Sequence, residues 1–450
     1  MGIAELLPTV FGRNLASPAK AGVHGSFATA PRNRGQKLWT PAFAGEAVRV
    51  AAVIFAVFVV SLPALAAGPK GPLVIAGGEF SFANPGWKRF AELAGGAGAP
   101  VLIIPTASGT PEATGKRHVE HLASLGLRAE VVPLWAKDGK ADATGAATDP
   151  AWVAKARAAK GIWFVGGDQA RITDALLKPD DSPTPLLAAI REAHAAGAVV
   201  GGSSAGAAIM SARMFKEGPE PLDALSKGLE AGRETDTGLG FIGDGWFVDQ
   251  HFLARGRIGR MVVALRDLGY RRGVGVEEDT AIVVTAGRTA EVVGRAVLLV
   301  DMATAKVGAG VPFRAEGVTV ALASGGDRFD LETGAVTPAE VRAKGPIDPA
   351  KPYLDSTKPF WTADMLGPGV LSDLMGKVAD SRSGLARGIA FAEPGEGPTQ
   401  PGFEFTLTRT PESRGWYASG GGATGYTVTG LRLDIRPVAM ARPLYTPLAP

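Results

Sequence analysis

Cysteine is absent from the 450 residues, which excludes disulfides, a thiolate nucleophile and a thiolate metal site. Net charge is nearly absent as well. The formal value is +3, and six basic residues (Arg13, Lys20, Arg32, Arg34, Lys37, Arg49) against two acidic ones (Glu5, Glu46) precede position 68. Without that stretch the totals fall from 47 and 44 to 41 and 42, so nothing in the overall charge calls for nucleic acid. Histidine is scarce, with five in the chain, so any histidine base comes from a short roster. No internal repeat is visible. What the chain has in quantity is apolar residues, 46%, punctuated by 61 glycines and 33 prolines. That is the composition of a globular protein with a sizeable core and many short elements, not of a disordered or fibrous one.

Residues 48–67, VRVAAVIFAVFVVSLPALAA, place Arg49 ahead of an apolar run ending in Ala64, Leu65 and Ala66. A basic start, an apolar centre and a small-x-small end form a secretory signal, which predicts export to the periplasm or medium. A retained membrane anchor is the competing reading, because the run approaches bilayer-spanning length. Pro63 and the small residues favour cleavage, leaving no stable membrane association. Residues 1–47 carry no helical or strand period and are expected to be unstructured, or to lie ahead of a true start at Val48 or Val50.

From residue 71, short apolar runs alternate with amphipathic stretches, the pattern of an α/β fold with a mostly parallel sheet sandwiched by helices. The spacing predicts strands at 72–76, 101–105, 130–134, 162–165 and 198–202, with helices at 84–94, 112–125, 150–159 and 185–196 among them. Longer β-rich runs follow at 274–284, 290–300 and 317–323. A main domain over 68–330 is expected, with 331–450 forming a linker and a small β-rich C-terminal appendage.

Gly202, Ser203, Ser204, Ala205 and Gly206 match G-x-S-x-G between a buried strand and a helix-forming run, the setting of a nucleophile elbow. There the turn lifts a serine off the sheet end, and glycines allow close backbone approach. A plain strand-to-helix turn is the alternative. Serine needs a base. His24 lies in the expected prepiece, and His194, one five-residue strand away, is about 15 Å from Ser204. His118 and His121 share a helix face at i and i+3, which suits metal ligands, but without carboxylates or cysteines beside them a solvated face is favoured and no metal is expected. His251 remains, at the end of WFVDQHF. Around it stand Asp249, Gln250, Arg255, Arg257 and Arg260; arginine is suited to bidentate capture of carboxylates, although the three also fit a solvated helix face. Gly166, Gly167, Asp168 and Gln169 follow another buried strand, and the N–H groups of Gly167 and Ala205 are the expected oxyanion hole.

Together FVGGDQARI, GGSSAGAAIM, VDQHFLARGRIGR and GVGVEEDTAIVV resemble, in the same order, the signature segments of cyanophycinases, in the serine peptidase family that also contains aspartyl dipeptidase. The resemblance covers roughly 71–330. It implies a fold related to the class I glutamine amidotransferases, no cofactor, a homodimer, and hydrolysis of cyanophycin, an arginyl-polyaspartate polypeptide, to β-aspartyl-arginine dipeptides. It further implies Ser204 as nucleophile, His251 as base, and Gln169, Asp249, Gln250, Arg255, Arg257 and Arg260 in the substrate pocket. The triad acid is expected in the loop KEGPEPLDALSKGLE, at Glu220, with Glu217 and Asp223 beside it. An aspartyl or isoaspartyl dipeptidase, or a non-catalytic exported binding protein, are the alternative readings.

Overall fold

The computed structural model describes residues 71–135, 142, 144–392, 399–419, 425–441 and 443–444. The expected unstructured stretch 1–47 and signal 48–67 lie outside the described residues. No helix among the described residues is long and apolar enough to cross a membrane.

Five apolar runs become the strands β1 (Leu73–Ala76), β2 (Pro100–Ile104), β3 (Arg128–Val131), β4 (Gly161–Phe164) and β5 (Val199–Ser203). They pair parallel in the order β1-β5-β4-β2-β3. Parallel neighbours need crossovers, here helices α1 (Gly86–Leu93), α2 (Pro111–Ser124), α3 (Pro150–Ala158), α4 (Gln169–Leu176) and α5 (Pro185–Ala195). Proline opens α3 and α5, where its missing N–H costs nothing, and Asp149 and Thr184 cap them through their side chains. Both faces of this sheet are covered. Val74, Val101 and Trp163 pack with Trp87 and Phe90 of α1, while Ile75, Ile104 and Phe164 face the core shared with α3, α4 and α5. Burial on two sides is why β1, β2, β4 and β5 read as nearly unbroken apolar runs, while the edge strand β3 does not.

The chain then forms α6 (Ala205–Ala208), the hairpin β6 (Arg213–Phe215) and β7 (Thr235–Thr237) around α7 (Pro221–Lys227), β8 (Trp246–Gln250) and α8 (Ile258–Leu268). Beyond this point the two long β-rich runs each divide. The first becomes β9 (Arg272–Val276) and β10 (Ala281–Thr285), the second β11 (Thr289–Val293) and β12 (Ala296–Asp301). β10 and β11 extend the first sheet antiparallel beyond β1, whereas β9 and β12 join β8 in a second sheet. The polar step Glu277–Thr280 and the turn at Gly294 carry the chain between sheets.

The C-terminal half adds β13 (Lys306–Val307), β14 (Ala315–Ser324), β15 (Arg328–Asp330), β16 (Val336–Thr337), α9 (Glu340–Ala343), β17 (Phe360–Thr362), β18 (Leu385–Phe391), β19 (Thr399–Thr408), β20 (Arg414–Tyr417) and β21 (Tyr426–Ala441), most of which complete that second sheet. Its main path is β17-β18-β19-β21-β14-β12-β9-β8, while β15 and β16 edge the first sheet. The C-terminal part is β-rich as expected, and its strands continue the second sheet. β14 pairs with β12 on one side and β21 on the other, so no break separates residues before and after Asp330. A fully buried ion pair reinforces the join: Arg342 Nη2 lies 2.6 Å from Asp327, and its Nε donates to Thr427 at 2.8 Å. Strand alternation sorts the second sheet's faces. In β12, Val297 and Leu299 enter the core shared with the first sheet, while Leu298 and Val300 pack with α8 and α10 (Val370–Ala379).

Candidate active site

β5 delivers Ser204 to the end of the first sheet. Its backbone is strained, at φ +52°, ψ −109°, a region a side chain occupies only when its surroundings enforce it. The enforcement is steric. A Cβ on Gly202 would stand 2.7 Å from the Gly206 carbonyl oxygen, and one on Gly206 would stand 2.3 Å from that of Phe164. Only glycine lets the turn close this tightly. The elbow reading of the sequence therefore has its expected geometry.

His251, beyond β8, places Nε2 3.0 Å from Ser204 Oγ. Its Nδ1 is 2.6 Å from Glu278 Oε1. With the ring proton on Nδ1 donating to Glu278, Nε2 is free to accept from the serine hydroxyl. The end of β1 aligns all three groups through consecutive carbonyls: Ala76 accepts from Ser204 N–H at 3.0 Å, Gly77 from His251 N–H at 2.7 Å, and Gly78 from Asp279 N–H at 2.9 Å. Gly78, at φ +113°, lies against the imidazole, and a Cβ there would come within 2.2 Å of the ring. A glycine pair straight after a buried strand was the signal for these positions, and the sequence reading passed over it.

The carboxylate that meets His251 is Glu278 and not Glu220, the position expected for a triad acid. Glu220 is an exposed residue at the start of α7, Glu217 is exposed, and Asp223 pairs with Lys227 at 2.7 Å. Its neighbour Glu277 is buried and accepts the amides of Leu253, at 2.5 Å, and Ala254, at 3.0 Å. It clamps the turn that follows His251, whose own φ is +48°. Burial raises the Glu277 carboxyl above its usual range, partly offset by the amides it accepts.

The imidazole of His251 is held below its ordinary proton affinity. Burial is the largest cause; the hydrogen bond to Glu278 pulls the other way, and repulsion from Arg255 and Arg257 adds to the lowering. At neutral pH the base is therefore unprotonated.

The expected pocket divides. Arg255 is half-exposed, with Nη2 3.3 Å from His251 Nδ1 and Nε 3.9 Å from Glu278, so it alone of the three arginines stands open beside the relay. Arg260 does not. It grips buried Asp249 in a bidentate pair, Nε to Oδ2 at 2.8 Å and Nη2 to Oδ1 at 2.5 Å. Burial works against Asp249's ionisation, but Arg260, Arg257 and the Gln250 amide together outweigh it and the carboxyl sits below its usual value. Arg257 is mostly buried, donating to the Gln250 carbonyl at 2.6 Å and Gln250 Oε1 at 2.5 Å. Asp249, Gln250, Arg257 and Arg260 each have an internal partner, and together they fix β8 to α8 beneath the relay. Gln169 spends its amide on the carbonyls of Phe215 (3.0 Å) and Lys216, tying α4 to β6.

Near the expected oxyanion hole, a Cβ on Gly166 would stand 3.1 Å from Ser204 Cβ, so this loop crosses directly over Ser204. Ala205 opens α6, where its N–H has no helical acceptor. Asp168 caps α4 by accepting from Ala170 N–H at 2.9 Å.

The other three histidines among the described residues make structural contacts. His194 bonds the Ala198 carbonyl at 3.0 Å on the far side of β5. His118 and His121 face aromatic rings rather than solvent: His121 stacks on Phe82 at 4.3 Å, and Trp87 meets both edge-on. No cluster of potential metal ligands occurs among the described residues.

The family model described as peptidase family S51 matches residues 73–292. The chain is 34% identical over 255 residues to the cyanophycinase of Synechococcus elongatus, covering 55% of this chain and 74% of that protein. It is 32% identical over 258 residues to the cyanophycinase of Geminocystis herdmanii, covering 55% of this chain and 88% of that protein. Among solved structures, a peptidase from an acI-B1 Actinobacterium is 22% identical, covers 56% of this chain and 95% of its own, and aligns with a TM-score of 0.42. From sequence similarity of this extent, the chain belongs to peptidase family S51 and is a serine-type peptidase.

Proposed function

We propose that this peptidase hydrolyses cyanophycin to β-aspartyl-arginine dipeptides through an acyl-enzyme on Ser204. The observation that carries the reading is the continuous relay from Ser204 Oγ through His251 to Glu278, flanked by the open guanidinium of Arg255. In it, Ser204 Oγ attacks the scissile carbonyl as its proton passes to His251 Nε2. Glu278 stabilises the imidazolium, which then protonates the leaving amine. Gly167 and Ala205 N–H groups are assigned to the oxyanion, since two preorganised donors suit a tetrahedral intermediate. Water activated by His251 releases the acyl group and restores the serine.

The substrate assignment draws on the cyanophycinases to which the chain is similar and on Arg255, whose planar fork suits a carboxylate of the polymer. We propose export as well, from the signal-like segment 48–67, and a homodimer, from the resemblance. Incubation with insoluble cyanophycin tests the substrate. Soluble β-aspartyl-arginine in the supernatant supports it, whereas cleavage of short aspartyl or isoaspartyl dipeptides with the polymer untouched assigns the dipeptidase specificity instead.

A further inference from the structure

We propose that the outer face of the second sheet is a second, non-catalytic holding site for the carboxylate-bearing polypeptide assigned above as substrate, on which reading this inference rests. The face is built by alternation. In β19, Phe403, Phe405 and Leu407 are in the core with α10, and in β21 so are Leu431, Leu433 and Ile435. The intervening residues, among them Glu404, Thr406, Arg432, Asp434 and Arg436, project to the opposite side. Across the β8, β9 and β12 half, that opposite side is covered, since Val248, Val274, Val297 and Leu299 join the core of the first sheet. Across β14, β21, β19 and β18 it is open, and it forms a groove of about 680 Å³.

The groove's charges are only partly paired. Arg432 meets Asp434 at 2.8 Å and Arg436 meets Glu404 at 2.8 Å. Lys306, Arg314 and Arg387 also line it, all exposed, and no carboxylate among the described residues stands within 4.0 Å of them. Glu316, exposed on the same wall, has no cation within that range either. Three free cations and one free carboxylate in a single concavity complement a chain carrying several carboxylates with interspersed cations, which is the chemistry of an arginyl-polyaspartate. Pairing them with ligand charges also relieves their mutual repulsion.

Register adds a length. Arg387, Thr406 and Asp434 are direct cross-strand partners, and Glu316 and Lys306 are partners on the next two strands. Five strands at about 4.8 Å spacing span roughly 19 Å, the reach of about six extended residues. A dipeptide is too short to fill this row; a polymer segment fills it. Every residue of the groove lies beyond Val293, outside the family match at 73–292, so the site belongs to the part of the chain added to the peptidase module.

The test uses the full-length Ser204→Ala protein, which holds polymer without consuming it, with and without Lys306→Ala, Arg314→Ala and Arg387→Ala combined. Co-sedimentation with insoluble cyanophycin is expected to weaken at least roughly tenfold in the triple variant, the sum of three modest exposed charge contacts. Binding by the parent should weaken as salt rises. In the Ser204 background the same three substitutions should leave kcat/KM on a short soluble fragment unchanged, because none touches the relay. Equal sedimentation of parent and triple variant overturns the proposal. Soluble poly-aspartate separates this failure from failure of the substrate reading. If wild type leaves cyanophycin intact and the parent binds only poly-aspartate, lost in the triple variant, the polymer occupant is overturned together with that reading. If wild type cleaves cyanophycin and the triple variant still binds it normally, only the groove is overturned.

Discussion

Glu278 Oε1 lies 2.6 Å from His251 Nδ1, while the exposed Glu220 stands at the start of α7 outside the relay. Glu278→Gln keeps the shape but lets the amide oppose the tautomer that Nε2 needs, so kcat should fall by about 10²- to 10⁴-fold. Glu220→Gln should stay within about twofold of wild type, since surface changes away from the chemistry cost little. Steady-state kinetics on the two variants, with circular dichroism to confirm folding, separate the assignments.

The depressed proton affinity of His251 sets the acid limb of activity. The base works only when neutral, so kcat/KM should hold below pH 6.5, the ordinary imidazole value, and fall as pH drops through the lowered one. Arg255 pushes that affinity down, so Arg255→Ala should move the limb to higher pH. Glu278 pushes it up, so Glu278→Gln should move the residual limb to lower pH. A limb above 6.5 in wild type, or shifts of opposite sign, would count against this electrostatic account.

Arg255 and Arg260 should separate cleanly, although they stand five positions apart. Loss of the open Arg255 guanidinium should raise KM about tenfold with the fold intact, one charge-assisted contact being worth about 1.5–3 kcal/mol. Arg260→Ala strips buried Asp249 of its bidentate partner and leaves it only Arg257 at 3.4 Å and the Gln250 amide at 2.9 Å, a change that costs up to about 3–5 kcal/mol and should appear first as a lower melting temperature. Equal melting temperatures for the two variants would contradict the division.

Much of this arrangement is legible in the sequence, and the remainder is hidden for physical reasons. β1, β2, β4 and β5 are buried on both faces, so their apolar runs announce them within a residue or two, whereas edge strand β3 alternates exposed and half-buried residues and sits at 128–131 rather than 130–134; glycine spacing around Ser204 announces the elbow. The runs 274–284 and 290–300 are equally apolar, but each serves two sheets. Glu278 sits at one of those crossings, and a position defined by a change of sheet leaves no periodic trace. The Asp249–Arg260 pair joins a strand to the following helix, a contact that neither local pattern reveals. Residues past Asp330 read as a separate appendage because β21 joins them to β14 across more than a hundred positions of sequence.

Backbone support for the relay is testable at Gly78 and Glu277. Gly78→Ala forces a Cβ to within 2.2 Å of the imidazole at φ +113°, so activity should drop at least about a hundredfold while most of the fold survives. Glu277→Gln keeps an acceptor for the Leu253 and Ala254 amides and should retain most of kcat; Glu277→Ala removes it and should lower kcat and stability together. Wild-type kinetics for Glu277→Ala would show that the turn holds itself.

The most direct measurement of the account is turnover of a cleavable aspartyl peptide or cyanophycin by wild type, Ser204→Ala, His251→Ala and the double variant, each confirmed as folded by circular dichroism. Groups that act as one unit are strongly non-additive. Each single variant is therefore predicted to lose on the order of 10⁴-fold or more in kcat, with the double variant scarcely worse. Ser204→Ala turning over within about tenfold of wild type would contradict the serine mechanism outright.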